Sequence, residues 1–200
     1  MPGDVTPETP GVLSTDRPMR AHARRNRDEL LAAARRALAA TDSDGAVSLE
    51  GIARDAGVGI GTLYRHFPTR QALFEAVYGS QLDDLTAGAD ELLAAHPPAI
   101  ALREWIGAYA DFARTKRGVH ETLKAGMAAG RLNPSTTRAR INAAVEPLLS
   151  AGAADATLRK DITADDVTTM LVGIFLATAT SPDGEQTTRL LDLLMAALRP

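Results

Sequence analysis

The chain is predicted to be all-α, with about nine helices, and three observations carry that prediction. Among its 200 residues there are 37 alanines and only 8 aromatics, a composition that suits closely packed helices. Apolar residues recur at spacings of three and four along most of the chain. No β-branched stretch alternates long enough to make a convincing strand.

The elements follow in order from punctuation and periodicity. Residues 1–19 are polar, acidic in part and proline-bearing, and read as a disordered tail with no apolar core for a signal peptide. A first helix is expected over about 20–40, with Leu30, Leu31, Ala34 and Leu38 inward, ending in the polar loop 41–45. Ser48 is placed to cap a second helix in which Leu49, Ile52, Ala53 and Ala56 make one buried stripe. Gly57 stops it, because a left-handed backbone is cheap only without a Cβ, and Val58 packs the turn. A third helix starts near Gly59 or Ile60 with Leu63 and Phe67 inward, and Pro68 ends it.

Thr69 can cap a fourth helix over 70–94, whose stripe of Leu73, Phe74, Val77, Gln81, Leu82 and Leu85 is apolar except at Gln81. Pro97 and Pro98 break the chain, and a fifth helix runs to about 116. A short sixth spans 121–129. The seventh, 135–153, carries Pro147, which should kink or divide it. Two more are expected over 165–180, after a Thr163 cap, and over 185–198.

Residues 48–74 are the most informative segment: two short helices joined by a glycine turn, with polar, aromatic and basic residues crowded on the second. That is the pattern of a DNA-binding helix-turn-helix. Ile52 and Ala53, then Ala56, Gly57 and Val58, then Gly61, Thr62, Leu63, Tyr64, His66 and Phe67, and finally Leu73 and Phe74, resemble the N-terminal domain of TetR-family transcriptional regulators. The match covers about 30–77. The resemblance implies that the helix starting near Gly59 enters a major groove, and that Ser48, Thr62, Tyr64, His66 and Arg70 hold the DNA backbone. Gly59, Ile60, Gly61 and Arg65 complete the candidate DNA-binding set, with Ile60 and Arg65 expected to affect base preference. Arg70 would sit unfavourably at a helix N-terminus, which suits an arginine that answers a phosphate. The chain departs from the family in two places. Gly59 stands where a capping Ser or Thr is usual, and Arg70 where Lys is usual.

Charge distribution agrees with this placement. The chain as a whole carries −3, yet between residues 17 and 70 there are ten arginines against six acidic residues. Arg17, Arg20, Arg24, Arg25 and Arg27 precede or open the first helix, where they either solvate a basic tail or reach phosphates and an adjacent minor groove.

The organisation expected is a tail over 1–19, a DNA-binding head over 20–68 and a helical body over 69–200, with the fourth helix as connector and a dimer interface over about 163–198. The last two helices are apolar over more than one face, which points to a second partner as well as an internal contact. By the family resemblance this is a homodimer with two heads on successive major grooves of a palindromic operator. On the fifth helix Trp105, Tyr109 and Phe112 gather on one face, either as plain core or as the wall of a small-molecule pocket; Met127, Met170 and Phe175 are further candidates. His120 either orients a polar ligand or, as the preferred reading, is solvated or capping.

Enzymatic readings find no support. The glycines at 57, 59 and 61 lack a Walker lysine and a preceding strand, the four histidines have no metal-binding spacing, and the adjacent acidic pairs splay apart on a helix. There are no cysteines, which excludes disulfides and thiolate chemistry. The apolar stretch 170–177 is too short to span a bilayer, so a cytoplasmic protein without membrane contact or cofactor is expected. The function implied is that of a homodimeric repressor which leaves double-stranded DNA when an apolar or aromatic effector binds. A ligand-independent regulator and a nonspecific architectural DNA-binding protein are the alternatives.

Overall fold

The computed structural model describes residues 16–40, 46–179 and 184–200. Among them are nine helices and no strand: α1 (Asp16–Ala39), α2 (Leu49–Asp55), α3 (Ile60–His66), α4 (Arg70–Ala95), α5 (Pro98–Gly118), α6 (His120–Ala128), α7 (Pro134–Ala154), α8 (Ala164–Ala177) and α9 (Glu185–Ala197). α1 to α3 form a head, and α4 to α9 form the body.

Helix ends sit where local chemistry puts them. The Ser48 hydroxyl accepts from the Gly51 N–H at 3.1 Å and starts α2. Gly57 adopts φ +68°, and the next residue, Val58, donates its N–H to the Ala53 carbonyl at 2.9 Å, closing the turn. Thr69 accepts from the Ala72 N–H at 3.0 Å at the start of α4. Thr163 and Asp166 form a reciprocal capping box on α8.

Three expectations are corrected. α1 begins at Asp16, so residues 16–19 are helical where a disordered tail was expected; Pro18 falls in the first turn, where its missing N–H costs no helical bond. α7 runs undivided through Pro147, because Val145, Leu148 and Leu149 around it are all buried and hold the helix against the core. α8 ends at Ala177, where the Thr178 hydroxyl turns back to the Ile174 carbonyl at 2.8 Å and also meets the Thr187 hydroxyl at 2.8 Å. The rest of the tail, residues 1–15, and the loop over 41–45 lie outside the described residues.

One hydrophobic core joins the two parts. Leu30, Leu38, Ile52, Leu63 and Phe67 fill the head, and Phe74, Trp105, Ile106, Leu148 and Leu171 continue it into the body. α4 buries Leu73, Phe74, Val77, Leu82 and Leu85 together with Gln81, whose Oε1 has no hydrogen-bond partner. Ion pairs reinforce α4 from three sides: Arg35 of α1 holds Asp84 at 2.7 Å, Arg140 of α7 holds Asp83 at 2.7 Å, and Arg131 grips Glu75 at 3.0 Å. Such surface pairs contribute little to stability but fix relative position. α4 is thus the element that both parts share. No helix among the described residues is long and apolar enough to cross a membrane.

Candidate functional site

The outward face of α3 is set by what its inward face buries. Leu63 and Phe67 are fully enclosed, so the intervening Tyr64 and Arg65 point to solvent, Ile60 and Gly61 are exposed at the helix start, and Thr62 and His66 are half-buried at the flanks. Tyr64 and Ile60 are large side chains left 46% and 37% exposed one turn apart, a pair that a second surface could cover. Gly59 caps α3 through its backbone alone, with no side-chain hydrogen bond. At both Gly59 and Gly61 a Cβ would meet nothing within 4 Å, so neither is required by packing inside the protein.

Two of the candidate contacts are already engaged within the chain. The Ser48 hydroxyl caps α2 and donates to Glu50 at 3.2 Å, so reaching a phosphate would mean giving up the Glu50 carboxylate. The Arg70 guanidinium lies 5.5 Å from the centre of the Phe74 ring, and Arg27 lies 5.1 Å from that of Phe67. Arg27 is thereby held at the C-terminal end of α3, and Arg70 along the first turn of α4. Arg24 and Arg25 are exposed on α1, which also carries Arg17 and Arg20.

The body contains a cavity of about 380 Å³ between α4, α5, α6, α7 and α8, within the size range of small-molecule sites. An adjoining one of about 310 Å³ shares Tyr109, Phe112, Lys116, His120 and Val172 with it. The aromatic trio expected on α5 is divided. Tyr109 and Phe112 border both cavities, but Trp105 is completely buried one turn earlier and donates its indole N–H to the Leu85 carbonyl at 3.0 Å, which makes it core between α4 and α5. Met127 borders the larger cavity and Phe175 the adjoining one, with the Phe175 ring 5.7 Å from that of Tyr109. Met170 borders neither; it lies two residues from Val172 on α8, a spacing that turns it away from the cavity to solvent. His120, expected to be solvated, is exposed at the start of α6 and also borders both cavities.

Several bordering residues were not anticipated from sequence. Tyr78 of α4 donates its hydroxyl to Thr137 at 3.3 Å, which ties the connector helix to α7 beside the cavity. Burial raises the Tyr78 phenol, and burial followed by the neighbouring Tyr78 pushes Tyr109 up to about 12. Arg138 borders the cavity but is held by Asp165 at 2.6 Å and also reaches the Thr169 hydroxyl. Lys116 falls four residues after Phe112 and seven after Tyr109, so helical periodicity alone was sufficient to place it on the same face. Among the described residues no group of His, Asp and Glu is arranged to hold a metal ion.

The chain matches two family models: residues 30–77 match that of bacterial regulatory proteins of the tetR family, and residues 97–200 that of the C-terminal domain of SbtR-like transcriptional regulators. A TetR transcriptional regulator from Streptomyces coelicolor of known structure is 42% identical, with 87% of this chain and 98% of that one covered at a TM-score of 0.79. A TetR regulatory protein from Mycobacterium vanbaalenii is 31% identical, covering 92% of this chain and 100% of that one at a TM-score of 0.69. A ketosteroid transcriptional regulator from Mycobacterium tuberculosis, 18% identical over 87% of this chain and 95% of its own at a TM-score of 0.55, shares the fold. A search of curated proteins finds no match.

Proposed function

The chain belongs to the TetR family of transcriptional regulators, and from that premise we propose that it is a homodimeric repressor released from a palindromic operator when a small molecule fills the body cavity. The observation that carries the reading is the position of α4: it begins directly behind the reading helix at Arg70, and its Tyr78 borders the cavity two turns later. A ligand that displaces Tyr78, directly or through the Phe112 ring of α5 that lies 5.3 Å from it, therefore acts on the same helix that positions the head. Such a ligand must prefer the arrangement in which two heads are wrongly spaced for two half-sites, because equal affinity for both states shifts nothing.

Dimerisation is supported by the apolar side chains that α8 and α9 leave uncovered, above all Leu176 and Leu193, 75% and 65% exposed, and also Met170. The DNA contacts assigned are Tyr64, His66, Thr62 and Arg70 to the backbone, and Ile60 and Arg65 to base edges. Ser48, Gly59 and Gly61 belong to the same surface. The mainly apolar and aromatic lining of the cavity supports an apolar or aromatic effector.

Selection of random duplex DNA by the full-length protein, repeated at two salt concentrations, tests the reading. Enrichment of a palindrome with half-sites about one helical turn apart is expected. Salt-sensitive retention without any enriched sequence would replace it with nonspecific architectural binding.

A further inference from the structure

Charge around the cavity is one-sided. Among the described residues no carboxylate borders either of the adjoining cavities, whereas Lys116, Arg117, Arg138 and His120 all do. Two of these cations are already committed: Arg138 is neutralised by Asp165, and Arg117 donates to the Ala179 carbonyl at 3.0 Å. Lys116 has no such partner. It makes no hydrogen bond or ion pair with any described residue, and although its side chain is exposed by area it stands in a concave wall beside Tyr109, Phe112 and Val172. That setting strips part of its hydration and pulls its pKa down, through burial alone and with no carboxylate to oppose the shift.

Two neutral donors border the same larger cavity, one from α5 and one from α8. The Tyr109 hydroxyl makes no hydrogen bond within the described protein, and the Thr168 hydroxyl, on a residue only 1% exposed, is buried without a partner where a helical threonine ordinarily bonds back to the preceding turn. An ammonium, a phenol and a hydroxyl, all lacking acceptors, border a space whose remaining lining is mainly apolar and aromatic, with Asn133, Thr137, His120 and the Asp165-paired Arg138 among its other polar groups.

We propose that the cavity is built for an amphipathic anion, an apolar or aromatic body carrying one acidic group, with Lys116 as the charge partner of that group and Tyr109 and Thr168 as neutral donors near it. This rests on the reading of the cavity as the effector site. The acid supplies the acceptors that the protein withholds, and the ring or chain fills the apolar remainder. A neutral isostere would leave the ammonium partly desolvated and unpaired, which disfavours it.

Two fluorescent probes with one scaffold test this on the full-length protein: 1-anilinonaphthalene-8-sulfonate, an anion, and N-phenyl-1-naphthylamine, its neutral counterpart. The anion is expected to bind the wild type at least about tenfold more tightly. Lys116→Gln should remove most of that preference while leaving the neutral probe unchanged, and Lys116→Arg should restore it. Val172→Trp, which places a large ring on the wall common to both cavities, should expel both probes. If Val172→Trp expels both but Lys116→Gln alters neither, the cavity stands as a binding site and the anion assignment is overturned. If both probes persist in Val172→Trp, or neither binds the wild type, the effector reading of the cavity falls and the anion assignment with it.

Discussion

The head and the body of this protein bury similar residues by similar means, yet their candidate functional surfaces are assembled differently. In the head, each exposed candidate lies within a few residues of the buried leucine or phenylalanine that orients it: Tyr64 follows Leu63, and His66 precedes Phe67. In the body, the cavity is bordered by α4, α5, α6, α7 and α8, whose contributing residues run from Tyr78 to Val172. A surface written on one helix is specified by local periodicity. A concave space between five helices is specified only by their packing, so its chemistry depends on side chains that no spacing rule brings together.

The largest test of this contrast sets one core residue of each part against the other. Trp105→Ala removes a wholly buried indole and its hydrogen bond to Leu85, and a loss of about 4 kcal/mol of stability is expected from urea unfolding. Leu63→Ala should cost about 3 kcal/mol and abolish DNA binding by deforming the head. Because the core is continuous through Phe67 and Phe74, both variants should unfold in a single transition. Two separated transitions in Leu63→Ala would show that the head is an independent folding unit and that the coupling through α4 is weak.

The turn gives the next largest effect. Gly57→Ala places a Cβ on a backbone at φ +68°, where no neighbour lies within 4 Å, so the expected cost of about 1–2 kcal/mol is conformational strain and not a clash. Gly59→Ala, in extended backbone and equally open space, should change stability by only about a few tenths of a kcal/mol. Thermal unfolding of the pair measures the difference directly. Equal losses would mean that the turn is not the feature that terminates α2.

On the DNA side, Tyr64→Ala should weaken binding to operator and scrambled duplex alike by about 1–2 kcal/mol, whereas Arg65→Ala or Ile60→Ala should shift base preference. Fluorescence anisotropy against both duplexes separates the two behaviours. A Tyr64→Ala variant that lost only operator preference would reverse the assignment of backbone and base contacts along α3.

Much of the fold was legible in sequence because its determinants are local. Ser48, Gly57, Thr69 and Thr163 each act on residues within five positions, and each does in three dimensions what its place in the chain predicts. Pro147 shows the opposite case: the local rule forecasts a kink or a division, and the division does not occur, because Val145, Leu148 and Leu149 are buried against the core and keep α7 whole. Trp105 shows the same limit. Its spacing matches Tyr109 and Phe112, but the carbonyl of Leu85, twenty residues away, decides that it is core. Lys116 was readable in principle, since it continues the periodicity of that trio, but a lysine near a helix C-terminus reads first as a dipole partner. Its lack of an acidic neighbour is a property of the assembled body.

The smallest effect expected concerns the pair that closes one side of the body. Asp165 is held down at about 2, first by its hydrogen bond from Arg138 and then by that from Asn142. A carboxylate depressed in the folded state contributes stability that is fully present above its ordinary value near 3.8 and is lost as pH falls towards 2. Asp165→Asn should therefore have a lower thermal midpoint than wild type at pH 6, and the two midpoints should converge as the pH is lowered from 4 to 2. The gap at pH 6 should be modest, because Asp165 is exposed and screened by solvent. Its position gives it a second consequence. Asp165 neutralises Arg138, so its loss frees a second cation beside the cavity, and Asp165→Asn should bind the anionic naphthalene probe more tightly than wild type while binding the neutral one unchanged. Unchanged anion binding in Asp165→Asn would show that Arg138 does not face the ligand space. Lys116 would then carry the charge recognition alone, and the body would hold its one specific contact on the same helical face as its aromatic wall, as local an arrangement as that of the head.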